Sequence, residues 1–189
     1  MKIKIPLIGL HNIRNSVAAI AVSLTIGISI QNIKKGLSNF KGVQRRFNKI
    51  FTYNKIDFYD DYAHHPTEIK NVLDGVDTVY KDFEKICIFQ PHRISRVKDL
   101  KKEFSFAFKK ADTVVLCPIY TAGEKMKLGF SYLNFAREII KNSKVNLFLV
   151  DDLKQLSKFL KKNMYGKKIV IGMGAGTITN WIRELPNLM

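Results

Sequence analysis

From Phe47 onward, apolar and polar residues follow a rhythm that switches repeatedly between a two-residue and a three-to-four-residue period. Residues 50–53 and 56–59 alternate β-formers with polar positions around Asn54-Lys55, which predicts a β-hairpin. Short apolar runs at 86–90, 113–117, 145–150 and 169–173 have the length and content of strands. Amphipathic stretches at about 66–80, 95–110, 132–141, 152–163 and 178–184 separate them as helices. Strand and helix alternating at this spacing predicts an α/β fold, a mostly parallel sheet with flanking helices. Ahead of this half, residues 3–8 read as a further short strand. Small and apolar residues from Val17 onward predict a tightly packed helix, and residues 30–39 a second one.

Composition changes this picture little. The chain has 189 residues, 46% hydrophobic and 25% charged, in the range of an ordinary globular protein. Cys87 and Cys117 each fall inside an apolar run, so they read as small core residues of a reducing compartment rather than a disulfide pair or metal ligands. The most apolar stretch, residues 17–30, is interrupted by Ser23, Thr25 and Ser29 and is too short to span a bilayer. No membrane partner and a cytoplasmic location are therefore expected. The formal net charge of +16 is unusual. Its lysines are scattered, and pairs such as Lys101-Lys102, Lys109-Lys110, Lys161-Lys162 and Lys167-Lys168 sit at the ends or outer faces of predicted helices. A nucleic-acid binder would gather its charge among stacking aromatics, so no nucleic-acid partner is expected.

Candidate chemistry concentrates in four stretches. Residues 60–68, DDYAHHPTE, crowd two carboxylates, two imidazoles and a tyrosine between a predicted strand and a helix that Pro66 and Glu68 begin. In an α/β sheet that loop lies at the carboxyl end of a strand, where ligands bind. A solvated, helix-capping turn is the plainer alternative. Residues 9–21, GLHNIRNSVAAIA, put Asn12 and Asn15 on one helical face, where amides read an adenine edge or merely cap a helix. Residues 40–47, FKGVQRRF, carry adjacent arginines suited to a phosphate. Residues 89–96, FQPHRISR, place Gln, His and two Arg after another strand. Two patterns carry less. Gly172-Met-Gly174-Ala-Gly176-Thr177 departs from a dinucleotide fingerprint at Thr177 and reads as a tight turn. His64, His65 and Glu68 fall short of a zinc ligand set, since adjacent histidines rarely point the same way, and no metal ligands are assigned.

Together, in this order and at these separations, the four stretches resemble the Mur ligase family. Gln90-Pro91-His92-Arg93 is closer to its alanine-adding branch than to the branch that recycles murein tripeptide. The resemblance implies a chain whose residues 1–46 are the helical tail and hinge of a central ATPase domain. It implies that residues 47–189 form a C-terminal Rossmann-like domain. It further implies ATP with Mg²⁺ as cofactors, and UDP-N-acetylmuramate and L-alanine as substrates. The reaction it implies is amide formation through an acyl phosphate. His11, Asn12, Asn15, Arg46 and Asp61 would hold the nucleotide. Asp61, His64, His65 and Arg46 would serve catalysis, and Tyr62, His64, His65, Arg93 and Arg96 would place the substrates. Which of Arg45 and Arg46 enters the site is left open. No Gly-x-x-x-x-Gly-Lys-Ser/Thr occurs in the 189 residues. The chain is therefore expected to need N-terminal and central domains for turnover, the alternative being a nucleotide or UDP-sugar binding module.

Overall fold

Asn54 and Lys55 both take positive φ, 50° and 65°, the paired left-handed geometry of a two-residue hairpin turn. They join strand β1 (Asn48–Tyr53) to β2 (Ile56–Asp61) in antiparallel register. The computed structural model that contains this hairpin describes residues 2–40, 42–125 and 130–189. Lys41 of the arginine-bearing stretch lies outside the described residues. Two helices precede the hairpin, α1 (Leu10–Thr25) and α2 (Ile30–Asn39). After it come α3 (Pro66–Val79), β3 (Glu84–Phe89), α4 (Ile94–Asp99), α5 (Lys101–Phe106) and β4 (Thr113–Leu116). The chain finishes with α6 (Tyr132–Ser143), β5 (Asn146–Leu149), α7 (Leu153–Asn163), β6 (Lys168–Met173), α8 (Ile178–Glu184) and a 3-10 turn at Leu185–Asn187.

The six strands lie in the order β1-β2-β6-β3-β4-β5, with every pairing after the first parallel. The expected mostly parallel sheet with flanking helices is what forms. Period-two alternation sorts the strand side chains onto two faces. Tyr59, Cys87, Phe89, Val114, Leu116 and Ile171 meet α3, α5 and α6 on one face. Ile56, Phe58, Ile86, Ile88, Val115 and Val170 meet α7 and α8 on the other. Both cysteines are buried in these clusters, and burial pushes the Cys117 thiol up to about 12. Neither has the thiolate character that reactivity requires.

Four expectations are corrected. Helix α1 is not tightly packed from Val17 onward: Ser16 is its one buried residue, and Val17, Val22 and Leu24 stand exposed. Residues 3–8 form no strand: Pro6 has no N–H for a ladder, and the run stays irregular up to Gly9. The helix expected over 95–110 is two helices that meet at Leu100, whose φ of −109° and ψ of 23° interrupt the spiral. The bend brings Phe104 and Phe108 within 5.7 and 5.3 Å of the Phe89 ring. Lys168 is no outer-face lysine; it opens β6, is buried, and pairs with Glu84 at 2.7 Å.

Candidate active site

A cavity of about 410 Å³ opens where the start of α1 meets the carboxyl end of β2. Beside it two glycines let backbones touch. A Cβ on Gly75 of α3 would lie 3.2 Å from Gly9 Cα, so the mouth of α1 sits directly on α3. The polar lining is His11, Asn12, Asn15, Arg46 and Asp61, and Leu7, Leu37, Phe40 and Val72 supply apolar wall. Volume and lining match a small-molecule site with few, placed polar groups. Asn12 Nδ2 donates to the Ile8 carbonyl at 2.7 Å, which orients the amide. Burial, and then the Arg46 charge, hold His11 below its ordinary imidazole range.

Arg45 and Arg46 part company. Arg45 has φ 58° and turns under the sheet edge. Its Nη2 donates to the Gly174 carbonyl at 2.6 Å, its Nε lies 3.9 Å from Asp60, and its guanidinium covers the Tyr62 ring. Arg46 is the one that lines the cavity. Asp60 is fully buried, and Thr179 Oγ1 donates to it at 2.6 Å. Arg45 Nε and Asp60 Oδ1 are the two buried side-chain polar atoms without a hydrogen bond among the described residues.

Asp61, 2% exposed, is held by backbone on both sides. Phe47 N–H donates to Oδ2 and Ala63 N–H to Oδ1, each at 2.8 Å. Burial nevertheless pushes its carboxyl up to about 6, and Asp60 adds to the rise against the pull of the two N–H groups and Arg46. One carboxylate thus ties the strand end to the turn that carries Arg45 and Arg46.

Beside the cavity four rings stand in a row. Tyr62 lies 5.1 Å from His64, His64 lies 5.7 Å from His92, and His92 stacks on Tyr120 at 5.4 Å. His64 Nδ1 is 2.9 Å from the Tyr62 carbonyl and 3.4 Å from Glu68 Oε2. His65 does not join the row. It caps α3, its Nδ1 accepting from Thr67 N–H, while Glu68 Oε2 accepts the N–H groups of His64 and His65 at 3.0 and 3.1 Å. Arg93 is exposed and strained, with φ 69°; its N–H donates to the Tyr120 carbonyl at 2.8 Å. Arg96 Nη1 reaches His92 Nδ1 at 3.2 Å. Glu124 accepts from Ser95 Oγ and N–H at 2.6 and 2.9 Å, fastening the loop after β4 to the start of α4. The sequence reading counts His92 within the candidate stretch after β3 but gives no role to it, to Tyr120 or to Glu124. Their cue was that both loops follow parallel strands.

The glycine-rich turn after β6 serves packing. A Cβ on Gly174 would sit 2.7 Å from the Gln90 carbonyl, and one on Gly176 would sit 2.5 Å from Gln90 Oε1 and 2.6 Å from the Tyr120 ring. Among the described residues no group of three or more His, Cys, Asp or Glu is placed to hold a metal ion. No helix among them is long and apolar enough to cross a membrane.

A parallel sheet whose strand ends gather carboxylate, imidazole and guanidinium groups beside an amide-lined cavity defines a class. Residues 45–176 match the family described as Mur ligase, glutamate ligase domain, and the chain belongs to that family. Its relatives are specific. The UDP-N-acetylmuramate–L-alanine ligase of Pelagibacter ubique (strain HTCC1062) is 71% identical over 188 residues, which cover 100% of this chain and 40% of that protein. The ligase of the same name from Rickettsia felis (strain ATCC VR-1525 / URRWXCal2) is 42% identical over 188 residues, 97% of this chain and 39% of that one. Among solved structures, the UDP-N-acetylmuramate-alanine ligase of Thermotoga maritima aligns with a TM-score of 0.81 at 28% identity, covering 99% of this chain and 39% of that one. A murein peptide ligase from Psychrobacter arcticus shares the fold, with a TM-score of 0.70 at 22% identity over 98% of this chain and 38% of that one. The chain spans about two fifths of the length of the curated relatives it matches.

Proposed function

We propose that these residues are the C-terminal portion of an ATP-dependent, amide-forming UDP-N-acetylmuramate–L-alanine ligase of cytoplasmic peptidoglycan-precursor synthesis. Residues 1–46 belong in this reading to the tail and hinge of a central ATPase domain, and residues 47–189 to the C-terminal domain. The observation that carries it is the cavity in which His11, Asn12, Asn15 and Arg46 meet Asp61, next to the row of Tyr62, His64 and His92. Its size and its amide-and-guanidinium lining fit the base and ribose of a nucleotide between apolar walls.

ATP would supply the phosphoryl group that turns the lactyl carboxylate of UDP-N-acetylmuramate into an acyl phosphate, from which the amine of L-alanine would displace phosphate. Asn12 and Asn15 face the adenine, Arg46 neutralises phosphate charge, and Asp61 takes the ribose side. Tyr62, His64, Arg93 and Arg96 border the space for the amino acid and the reacting carboxyl group. His65, committed to its cap, acts through the shape of the loop. Phosphoryl transfer of this kind rests on positioning and charge, so this portion needs no nucleophile of its own. Mg²⁺ would in this reading take most of its ligands from the N-terminal and central domains of the family.

The test is a hybrid in which these residues replace the matching portion of the Pelagibacter ubique relative. Phosphate release that requires both UDP-N-acetylmuramate and L-alanine is expected. An inactive but folded hybrid, beside an active parent, refutes the assignment. Preference for a murein tripeptide over L-alanine would instead identify the recycling ligase.

A further inference from the structure

An amino acid reaches any enzyme near neutral pH as an ammonium ion, which has no lone pair with which to attack. If this chain serves an amide-forming ligase, as proposed above, some group must take that proton. The hydrogen bonds around the ring row single one out. His64 Nδ1 faces two acceptors, the Tyr62 carbonyl at 2.9 Å and Glu68 Oε2 at 3.4 Å. Only an N–H satisfies such a setting, so the proton of the neutral ring sits on Nδ1. Nε2 then carries the lone pair, and no hydrogen bond reaches it among the described residues. The neighbouring imidazole is the reverse. Arg96 Nη1, which can only donate, points at His92 Nδ1 at 3.2 Å, so His92 holds its proton on Nε2 and is a donor there. Two imidazoles 5.7 Å apart are thus fixed in opposite tautomers.

We infer that His64 Nε2 is the base that receives the proton of the incoming ammonium group, with Glu68 as the positioning residue that fixes its tautomer. The ammonium N–H bond breaks and its proton passes to Nε2. The freed amine forms the C–N bond at the acyl-phosphate carbonyl carbon. Collapse of the tetrahedral adduct breaks the C–O bond to phosphate, and the second nitrogen proton leaves with the phosphate oxygen. The groups that surround His64 are Tyr62 on its own loop, Glu68 on α3 and His92 after β3. Arg46 acts on Glu68 and Arg96 on His92. A base held by a carboxylate and a backbone carbonyl has the arrangement that general-base catalysis needs.

Glu68 also caps α3 through the N–H groups of His64 and His65, so the experiment must separate capping from catalysis. In the hybrid enzyme, His64→Gln and Glu68→Gln are compared using L-alanine and hydroxylamine, a nucleophile already neutral near pH 7. The glutamine keeps an oxygen for the cap. With L-alanine, kcat is expected to fall about 100-fold or more in His64→Gln and about tenfold in Glu68→Gln. Hydroxamate formation stays within about twofold of the parent in both, since the acyl phosphate still forms and needs no base for this attack. Equal losses with both nucleophiles overturn the base assignment while leaving the ligase reading in place. No product from the unsubstituted hybrid with either nucleophile overturns the ligase reading and the base with it. Long-range ¹H–¹⁵N spectra of this chain supply a readout free of activity: Nδ1–H at His64 and Nε2–H at His92 are expected, and Nε2–H at His64 refutes the proposal.

Discussion

Replacing Asp61 with asparagine separates what its charge costs from what its shape holds. A carboxyl group lifted from 3.8 to about 6 keeps, in the folded chain, a proton that the unfolded chain has already released. The stability this group supplies is therefore complete below about pH 4, falls as pH rises through about 4 to 6, and is lowest above that window. The shift corresponds to about 3 kcal/mol. The asparagine removes the penalty, because it never ionises. It also matches the protonated acid in hydrogen bonding, with one acceptor and one donor in place of two acceptors. Below about pH 4 wild type and Asp61→Asn should unfold at the same denaturant concentration. Above about pH 6 the variant should be the more stable, by up to about 3 kcal/mol with an unchanged m-value. One backbone amide must nonetheless lose its acceptor. Ala63 is fully buried while Phe47 is partly exposed, so the amide group should turn its oxygen to Ala63 and release Phe47. Hydrogen exchange at the Phe47 amide should thus quicken in a protein that is globally more stable. A variant destabilised equally at every pH would refute this, for it would mean that the two N–H bonds outweigh burial.

The adjacent arginines should give opposite phenotypes. Arg45→Ala removes the bond to Gly174 and leaves Asp60 buried without its cation, lowering stability by about 1–3 kcal/mol in thermal melts. Arg46→Ala should leave the melt unchanged and weaken nucleotide binding by calorimetry; unaltered binding would take Arg46 out of the site. Gly176→Ala puts a methyl group into Gln90 Oε1 and the Tyr120 ring. A loss of about 1–3 kcal/mol is expected, with His92 and Tyr120 ring resonances displaced, and an unperturbed spectrum would show that the turn yields freely.

The sheet was legible because each strand carries its own signal. Residues 86–89 and 169–173 are apolar on successive positions, as a strand buried on both faces requires, and Asn54-Lys55 forms the turn pair between two alternating runs. What sequence left unread depends on direction. Arg45 and Arg46 have identical side chains, and only the left-handed backbone at Arg45 and Phe47 decides which one reaches the cavity. His65 looks as free as His64 until the helix start that follows claims its ring. Asp61 reads as a ligand group, yet both its oxygens are engaged by backbone from two separate stretches, a contact spanning 14 residues for Phe47. The break at Leu100 was hidden because residues on either side share one helical periodicity, and the packing of Phe104 and Phe108 on Phe89, at the end of the preceding strand, cannot be read from that periodicity.

Strand β6 occupies the middle of the sheet, between β2 and β3, although it is the last strand in the chain. As the polypeptide leaves the ribosome, the β1–β2 hairpin and the β3-β4-β5 block can each form locally, but nothing joins them. Both halves keep a bare apolar edge until residues 168–173 emerge and close the gap from the two sides. Folding is consequently governed by contacts more than 100 residues apart, such as Asp57 with Ile169, the pattern that slows assembly and lengthens exposure to aggregation. A nascent chain halted a few residues short of β6 would hold nearly all its helices and still lack a continuous sheet.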